Sequence, residues 1–366
     1  MQEKLKIAYK LSKLGVDVCE AGFPISSPDD YEAVKLIAKE VGNIDRGNQD
    51  YMCISGLSRA LEKDIDRVYD AVKYAKNHRI HTFIATSNIH LKHKLKIDHT
   101  TCIKNAVKAV SYAKNKCHDI EFSAEDACRS NKYFLVDIIE EVIKAGATTI
   151  NIPDTVGYML PQEYGKLIKF LKTNIKDSNK INWSAHCHND LGLATANTLF
   201  GIENGINQIE VTMNGIGERA GNTSLEEIIM CLKTRENYFG EKYKTNINEK
   251  YIFETSKMVS ELTGIPIQPN KAIIGKNAFL HESGIHQDGV IKNKTTYEII
   301  SPASIGIYSS NLLLGKHSGR NALKEKFKEL NLDYVEENLN LYFDKFKKLC
   351  DKKKYLTDDE IKSLII

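Results

Sequence analysis

His186-Cys187-His188 is the sharpest chemical feature of this 366-residue sequence. On a strand, residues i and i+2 share a face, so two imidazoles at this spacing can reach one ion. On spacing alone a second reading stands beside it, a pair of polar histidines at a strand end. Asn189-Asp190 follows at once with oxygen donors, which turns a metal reading towards a hard or borderline divalent cation. Cys187 faces the other way and reads as a packing residue. Gly217-Glu218-Arg219-Ala220-Gly221-Asn222 combines backbone freedom, a Glu–Arg neighbour pair and an amide oxygen. That stretch serves equally as a turn with a helix cap at Asn222 or Thr223. Ser123-Ala124-Glu125-Asp126-Ala127 sets two carboxylates just beyond a strand, and Asn151-Ile152-Pro153-Asp154-Thr155-Val156-Gly157 adds a carboxylate and a hydroxyl. Each of these alone is an ordinary cap. His281 and His286 flank Ser283-Gly284 in a later loop. Such a loop is either surface polar sequence or, if it closes over a site, a source of an acid or base.

The elements that must position these residues alternate. Strand patterns near 16–20, 51–57, 80–86, 119–123, 148–153, 182–186 and 208–213 are separated by helical patterns at 30–41, 64–76, 104–114, 134–145, 161–173, 192–204 and 225–237. Strand–helix alternation implies parallel pairing with right-handed crossovers. Glu20, Ser58, Thr86, Glu125, Asp154, His188 and Asn214 all fall at the C-terminal ends of strands, the rim where a barrel gathers its site. No Gly-x-Gly-x-x-Gly follows an early strand, so a dinucleotide-binding open sheet has no support. The expected fold is therefore α/β, a (β/α)8 TIM barrel, in which seven strands are countable and the first is missing from this chain. A closed barrel lacking one strand would expose two unpaired edges. The expectation is that a segment is absent or that a partner supplies it. The barrel spans 1–249, a linker and first subdomain 250–310, and a helical subdomain 311–366.

Composition excludes several classes. Lysine and arginine number 51 against 48 acidic residues, a net charge of +3 with the signs interspersed, which gives no electrostatic footprint for nucleic acid. No run of about 18 apolar residues is present, so no transmembrane helix is expected. The eight cysteines form no Cys-x-x-Cys pair and suggest neither a disulfide framework nor a zinc ribbon.

Together, Glu20-Ala21-Gly22-Phe23-Pro24, Ile150-Asn151-Ile152-Pro153-Asp154-Thr155-Val156-Gly157-Tyr158, His186-Cys187-His188-Asn189-Asp190-Leu191-Gly192, Asn214 to Asn222, and Glu282-Ser283-Gly284-Ile285-His286-Gln287-Asp288-Gly289 occur in an order that resembles the 2-isopropylmalate synthases across essentially the whole chain. Those enzymes belong to the metal-dependent Claisen-condensing barrels, with the homocitrate, citramalate and methylthioalkylmalate synthases. The resemblance implies condensation of acetyl-CoA with 3-methyl-2-oxobutanoate to (2S)-2-isopropylmalate and CoA, in leucine biosynthesis. Its alternatives are the same chemistry on another 2-oxo acid, or an inactive truncated homologue. It implies a divalent metal, Mn²⁺ or Mg²⁺, on His186, His188, Asn222 and an aspartate of the first strand. Glu125 and His286 become candidates for acid–base work and Tyr308 for a proton donor. Thr155 would bind the substrate carboxylate, His81 would line the oxo-acid pocket, and Glu218 and Arg219 would lie beside the substrate. A homodimer follows, with His286 serving the neighbour's site.

The sequence departs from that family at both ends. The family's Arg-Asp-Gly-Glu motif, which supplies the aspartate and a charge-balancing arginine, is absent. The expectation is that the 366-residue chain alone turns over little. The expectation is likewise that the leucine-binding regulatory domain is not part of this chain, and that the protein, with no recognisable leader pattern at its start, is cytoplasmic. The similarity of Ile54-Ser55-Gly56-Leu57-Ser58-Arg59 and the stretch before it to plant-type sequences leaves a plastid as the alternative.

Overall fold

A computed structural model describes residues 1–281, 283–308, 314–316, 318–353 and 356–365, which divide into two compact units, Met1–Pro266 and Ile267–Ile366.

The first unit opens with helix α1 (Gln2–Leu14), stopped by Gly15 in the left-handed region. Seven strands and their helices follow. These are β1 (Val18–Glu20), α2 (Pro28–Glu40), β2 (Cys53–Arg59), α3 (Glu62–Val72), β3 (His78–Ala85), α4 (His99–Lys114) and β4 (Asp119–Glu125). Then come α5 (Lys132–Ala145), β5 (Thr149–Asp154), α6 (Pro161–Asn174), β6 (Asn182–Cys187), α7 (Ala194–Glu203), β7 (Gln208–Glu210), α8 (Leu225–Thr234) and α9 (Ile252–Thr263). Local chemistry sets many of these ends. Ser27 caps α2 with Pro28 in its first turn, and Asn131 caps α5, whose other end turns at Gly146.

All seven strands pair in parallel and in sequence order, β1 to β7. One face of each strand is apolar. Ile54, Ile80, Ile120, Phe122, Ile150, Ile152, Trp183 and Ala185 are fully buried under the helical layer, each isoleucine side chain contributing about 1.5–3 kcal/mol. The alternate residues, Arg79, His81, Glu121, Ser123, Asn151, Ser184, His186, Gln208 and Glu210, carry the polar groups of the inner face. The sheet curls strongly enough for these to meet across it: Arg79 Nη1 on β3 donates to Gln208 Oε1 on β7 at 2.7 Å. This is the barrel architecture expected, with β1 and β7 as its edges.

The expected strand over 208–213 ends early. After Glu210 the chain makes a single bridge from Thr212 to Ser224 and a 3₁₀ turn at Met213–Gly215. Asn214 causes the break: it adopts a left-handed conformation, and its side chain donates to Ser256 O and accepts from the Ser256 hydroxyl on α9. Helix α9 is also tied to α1 by a Lys10–Glu254 ion pair of 2.8 Å.

The second unit holds α10 (Gly284–Lys292), α11 (Arg320–Glu329), α12 (Leu339–Cys350) and α13 (Asp358–Lys362). Its core gathers Leu314, Leu323, Phe327, Tyr342, Phe346 and Ile361. No described helix of the chain is long and apolar enough to cross a membrane.

Candidate metal and substrate site

His186 ends the inner face of β6, and His188 lies two residues on, paired across an antiparallel bridge to Asn222. The two imidazoles direct Nε2 towards one another at 2.9 Å, with rings 4.8 Å apart and at 75°. The 2.9 Å approach is that of an imidazole–imidazole hydrogen bond, which holds the two rings together at the rim. Asn222 is wrapped by glycines. A Cβ on Gly217 would lie 2.1 Å from Asn222 Nδ2, and one on Gly221 would lie 2.0 Å from Gly215 O. Only bare backbone can pass this close. The wrapping pins the amide: Nδ2 donates to Ile216 O at 3.0 Å, whereas the buried Oδ1 has no hydrogen-bond partner among the described residues. A buried, unpartnered carbonyl oxygen calls for a donor or a cation. Two imidazole nitrogens and this oxygen fit a divalent metal.

The surroundings of the imidazoles prepare them unequally. Burial, helped by the His186 and Arg219 charges, pushes the His188 pKa down to about 4, so the ring is neutral. Burial also acts to lower the His186 pKa, but Glu210, whose Oε2 lies 3.1 Å from Nδ1, outweighs it and raises the value. Glu210 lies beside Nδ1 without a hydrogen bond of regular geometry, and Nε2 offers a lone pair to a metal only when that nitrogen carries no proton. His188 is held differently. Its Nδ1 faces Arg219 Nη2 at 2.7 Å, so the neutral ring carries its proton on Nε2. Ligation through Nε2 requires that proton to leave and the guanidinium to turn from Nδ1. Arg219 already has another anchor, since its Nε and Nη2 grip Asp190 at 2.7 and 3.0 Å.

The oxygen donors expected from Asn189 and Asp190 are engaged elsewhere. Asn189 Oδ1 accepts from Ala194 N at the start of α7, and Asp190 is clamped by Arg219. Cys187 is fully buried, with its thiol pKa pushed up to about 12 by burial, as a packing residue should be.

A second group, His81, Glu121 and Glu210, also places its ligand atoms within 4.8 Å of one another. Two of its members are held by protein, whereas Glu210 Oε1 is buried and has no hydrogen-bond partner among the described residues. His81 Nδ1 meets Glu20 Oε2 at 2.5 Å and Nε2 meets Ser123 Oγ at 2.7 Å. Glu121 accepts from Arg79 at 2.8 Å and from Gln208 at 2.7 Å. The group is a second candidate for holding a divalent cation. Burial raises the Glu121 pKa, while His186 and His81 hold Glu210 low against its own desolvation. Burial would lower the His81 pKa, but Glu20 and Glu121 outweigh it and lift it to about 10. A histidine so raised adds stability that is complete below its ordinary pKa of 6.5 and disappears as pH climbs through about 10. Thermal melts from pH 6.5 to 10 should therefore show wild-type stability falling more steeply than that of His81→Gln. Parallel slopes would contradict the raised pKa.

The other expected site residues divide between the two units. Thr155 follows β5 at the rim; its hydroxyl oxygen accepts from Asp126 N at 2.9 Å, leaving its O–H to donate, and its carbonyl accepts from Arg219. Glu125 closes β4 in an ion pair with Lys94 at 2.7 Å. Glu218 is exposed and lies 3.5 Å from Arg219. His286 stands on α10 with its ring 4.2 Å from that of Tyr297, and Tyr308 is 78 % exposed. Both belong to the second unit, where Glu282 of the same motif lies outside the described residues. Motif reading missed Arg79, Glu121 and Glu210, and named Glu20, Ser123 and Asn151 at strand ends without giving them a role. Their signal was a polar residue at every second position in otherwise apolar strands.

Residues 1–259 match the HMGL-like family model and residues 273–354 the homocitrate synthase post-HMGL domain-like model. A 2-isopropylmalate synthase of Carboxydothermus hydrogenoformans is 56% identical over 363 residues, covering 99% of this chain and 69% of the relative. The chain belongs to the 2-isopropylmalate synthase family. A Pyrococcus abyssi member is 53% identical over 365 residues, covering 100% of the chain and 73% of that protein. These bacterial and archaeal relatives give the plastid alternative no support. Among solved structures, the hydroxymethylglutaryl-CoA lyase of Pseudomonas aeruginosa superposes with a TM-score of 0.60 at 16% identity, covering 73% of this chain and 87% of its own. That likeness is one of fold.

Proposed function

We propose that this 2-isopropylmalate synthase family member joins the methyl carbon of acetyl-CoA to the keto carbon of 3-methyl-2-oxobutanoate. Hydrolysis of the thioester then releases CoA and (2S)-2-isopropylmalate, a committed step towards leucine. The observation that carries the reading is the convergence of His186 Nε2 and His188 Nε2 at 2.9 Å beside the unpartnered Asn222 Oδ1. These three atoms would hold a divalent cation, Mn²⁺ or Mg²⁺, which when bound supplies Lewis-acid polarisation of the keto group.

The remaining work falls to side chains. Thr155 has a hydroxyl proton to donate to the substrate carboxylate, and Arg219 bridges Thr155, His188 and Asp190. Glu125 at the rim takes the acetyl methyl proton. His286 and Tyr308 act on a neighbouring copy in a homodimer, as acid–base partner and proton donor. His81, 3 % exposed on the inner face, backs the oxo-acid pocket.

The substrate assignment rests on the family, whose members of similar sequence are named 2-isopropylmalate synthases. Free CoA release by the native full-length protein with 3-methyl-2-oxobutanoate, 2-oxoglutarate and pyruvate tests this. The expected order puts 3-methyl-2-oxobutanoate first by about 10-fold or more in kcat/KM, the scale of a one- or two-methylene discrimination. A preference for either other acid would overturn the assignment.

A further inference from the structure

The connection between β3 and α4 does more than join two elements. It begins at Thr86, whose N–H and hydroxyl both donate to Glu125 O, at 2.9 and 3.1 Å. It continues through a short helical turn, Asn88–His90, into a π-helical turn at Leu91–Leu95, and closes with Lys96 in the left-handed region at φ 56°. A π turn costs hydrogen-bond geometry and a left-handed lysine is strained, so such features persist where they place something. What they place is Lys94. Leu91 is buried and anchors the turn, and from it Lys94 Nζ reaches both oxygens of Glu125, at 2.7 and 3.0 Å.

Glu125 is thus gripped twice by one segment, at its carbonyl by Thr86 and at its carboxylate by Lys94. A third constraint follows it directly. Asp126 is fully buried at φ 62°, held there by a fork from Arg129 at 2.8–3.2 Å and by its N–H to Thr155 Oγ1. The backbone therefore turns sharply just after Glu125, leaving its side chain at the rim. The Lys94–Glu125 pair is half open to solvent on the lysine side, 50% against 19% for the glutamate, and an ion pair of that kind contributes little to stability. Its geometry matters more than its energy.

We propose that Lys94 is a positioning residue for the reaction, fixing the Glu125 carboxylate in one rotamer from which it accepts the acetyl methyl proton. The inference rests on the acid–base reading of Glu125. Lys94 itself touches no reacting atom; it acts through Glu125.

The test is a double-mutant cycle in the native full-length protein, comparing Lys94→Met, Lys94→Arg, Glu125→Gln and the pair Lys94→Met/Glu125→Gln. Lys94→Met should lower kcat roughly 10- to 100-fold, the scale of a misplaced catalytic group, with KM for the oxo acid within about twofold. Trideuteroacetyl-CoA should then show a larger isotope effect than in wild type, because methyl deprotonation has become slower. Lys94→Arg, which keeps the charge, should recover most of the loss. In the Glu125→Gln background, Lys94→Met should cost about nothing more. A wild-type kcat in Lys94→Met, an effect on KM alone, or an equal loss in both backgrounds would overturn the proposal. The Glu125→Gln arm separates two failures. If that variant keeps wild-type turnover, the acid–base reading of Glu125 fails and this proposal with it. If it is impaired while Lys94→Met is not, only the role of Lys94 fails.

Discussion

His188→Ala should weaken Mn²⁺ binding by roughly a hundredfold or more and abolish metal-dependent CoA release, because it removes one of three donors from a site with no carboxylate ligand of its own among them. Titration calorimetry on the 366-residue chain reads the binding without needing turnover. The expectation rests on the 2.9 Å approach of the two Nε2 atoms and on the neutral state of His188, whose pKa lies near 4. No proton competes from solution at neutral pH, but the ring's own Nε2 proton must leave as Arg219 turns from Nδ1. Glu121→Gln provides the contrast. Glu121 is already bridged by Arg79 and Gln208, so its loss should leave Mn²⁺ affinity within about threefold. If Glu121→Gln costs as much as His188→Ala, the metal lies in the His81 cluster instead.

Glu125→Gln should lower kcat by roughly 10²–10⁴, the range for loss of a general base, while leaving KM for 3-methyl-2-oxobutanoate nearly unchanged. The substitution keeps the volume and the hydrogen bonds that Thr86 makes to the backbone, so folding should survive it. Stopped turnover with intact Mn²⁺ affinity would place Glu125 in proton transfer and outside the metal site. Unchanged turnover would leave that role to another group.

The sequence was more legible at strand ends than within strands. His186 and His188 were readable because their spacing matches the pleat, and Asn222 because glycines flank it. The order of strands and helices was readable for the same reason, apolar period against polar turn. Glu121 and Glu210 were not found, although they alternate with Phe122 and Ile209. Each is a common strand residue alone, and only the curl of the sheet brings β7 within reach of β3 and β4. The pairing of Arg219 with Asp190 was hidden as well. The pairing expected was with its neighbour Glu218, yet the left-handed φ of 52° at Arg219 accompanies a side chain whose grip is on Asp190 and His188. Lys94 was concealed by its setting among Lys92, His93 and Lys96, where a charge run ordinarily means a solvated face. A π turn has no periodic signature that marks one lysine from its neighbours.

The central claim is that the metal of this synthase family member is held by His186, His188 and Asn222. A crystal soaked in Mn²⁺ and measured at the manganese absorption edge tests it most directly. An anomalous peak bounded by the Nε2 atoms of His186 and His188 and the Oδ1 of Asn222 is the predicted result. A peak among His81, Glu121 and Glu210, with the two rim histidines still turned to one another, would contradict it.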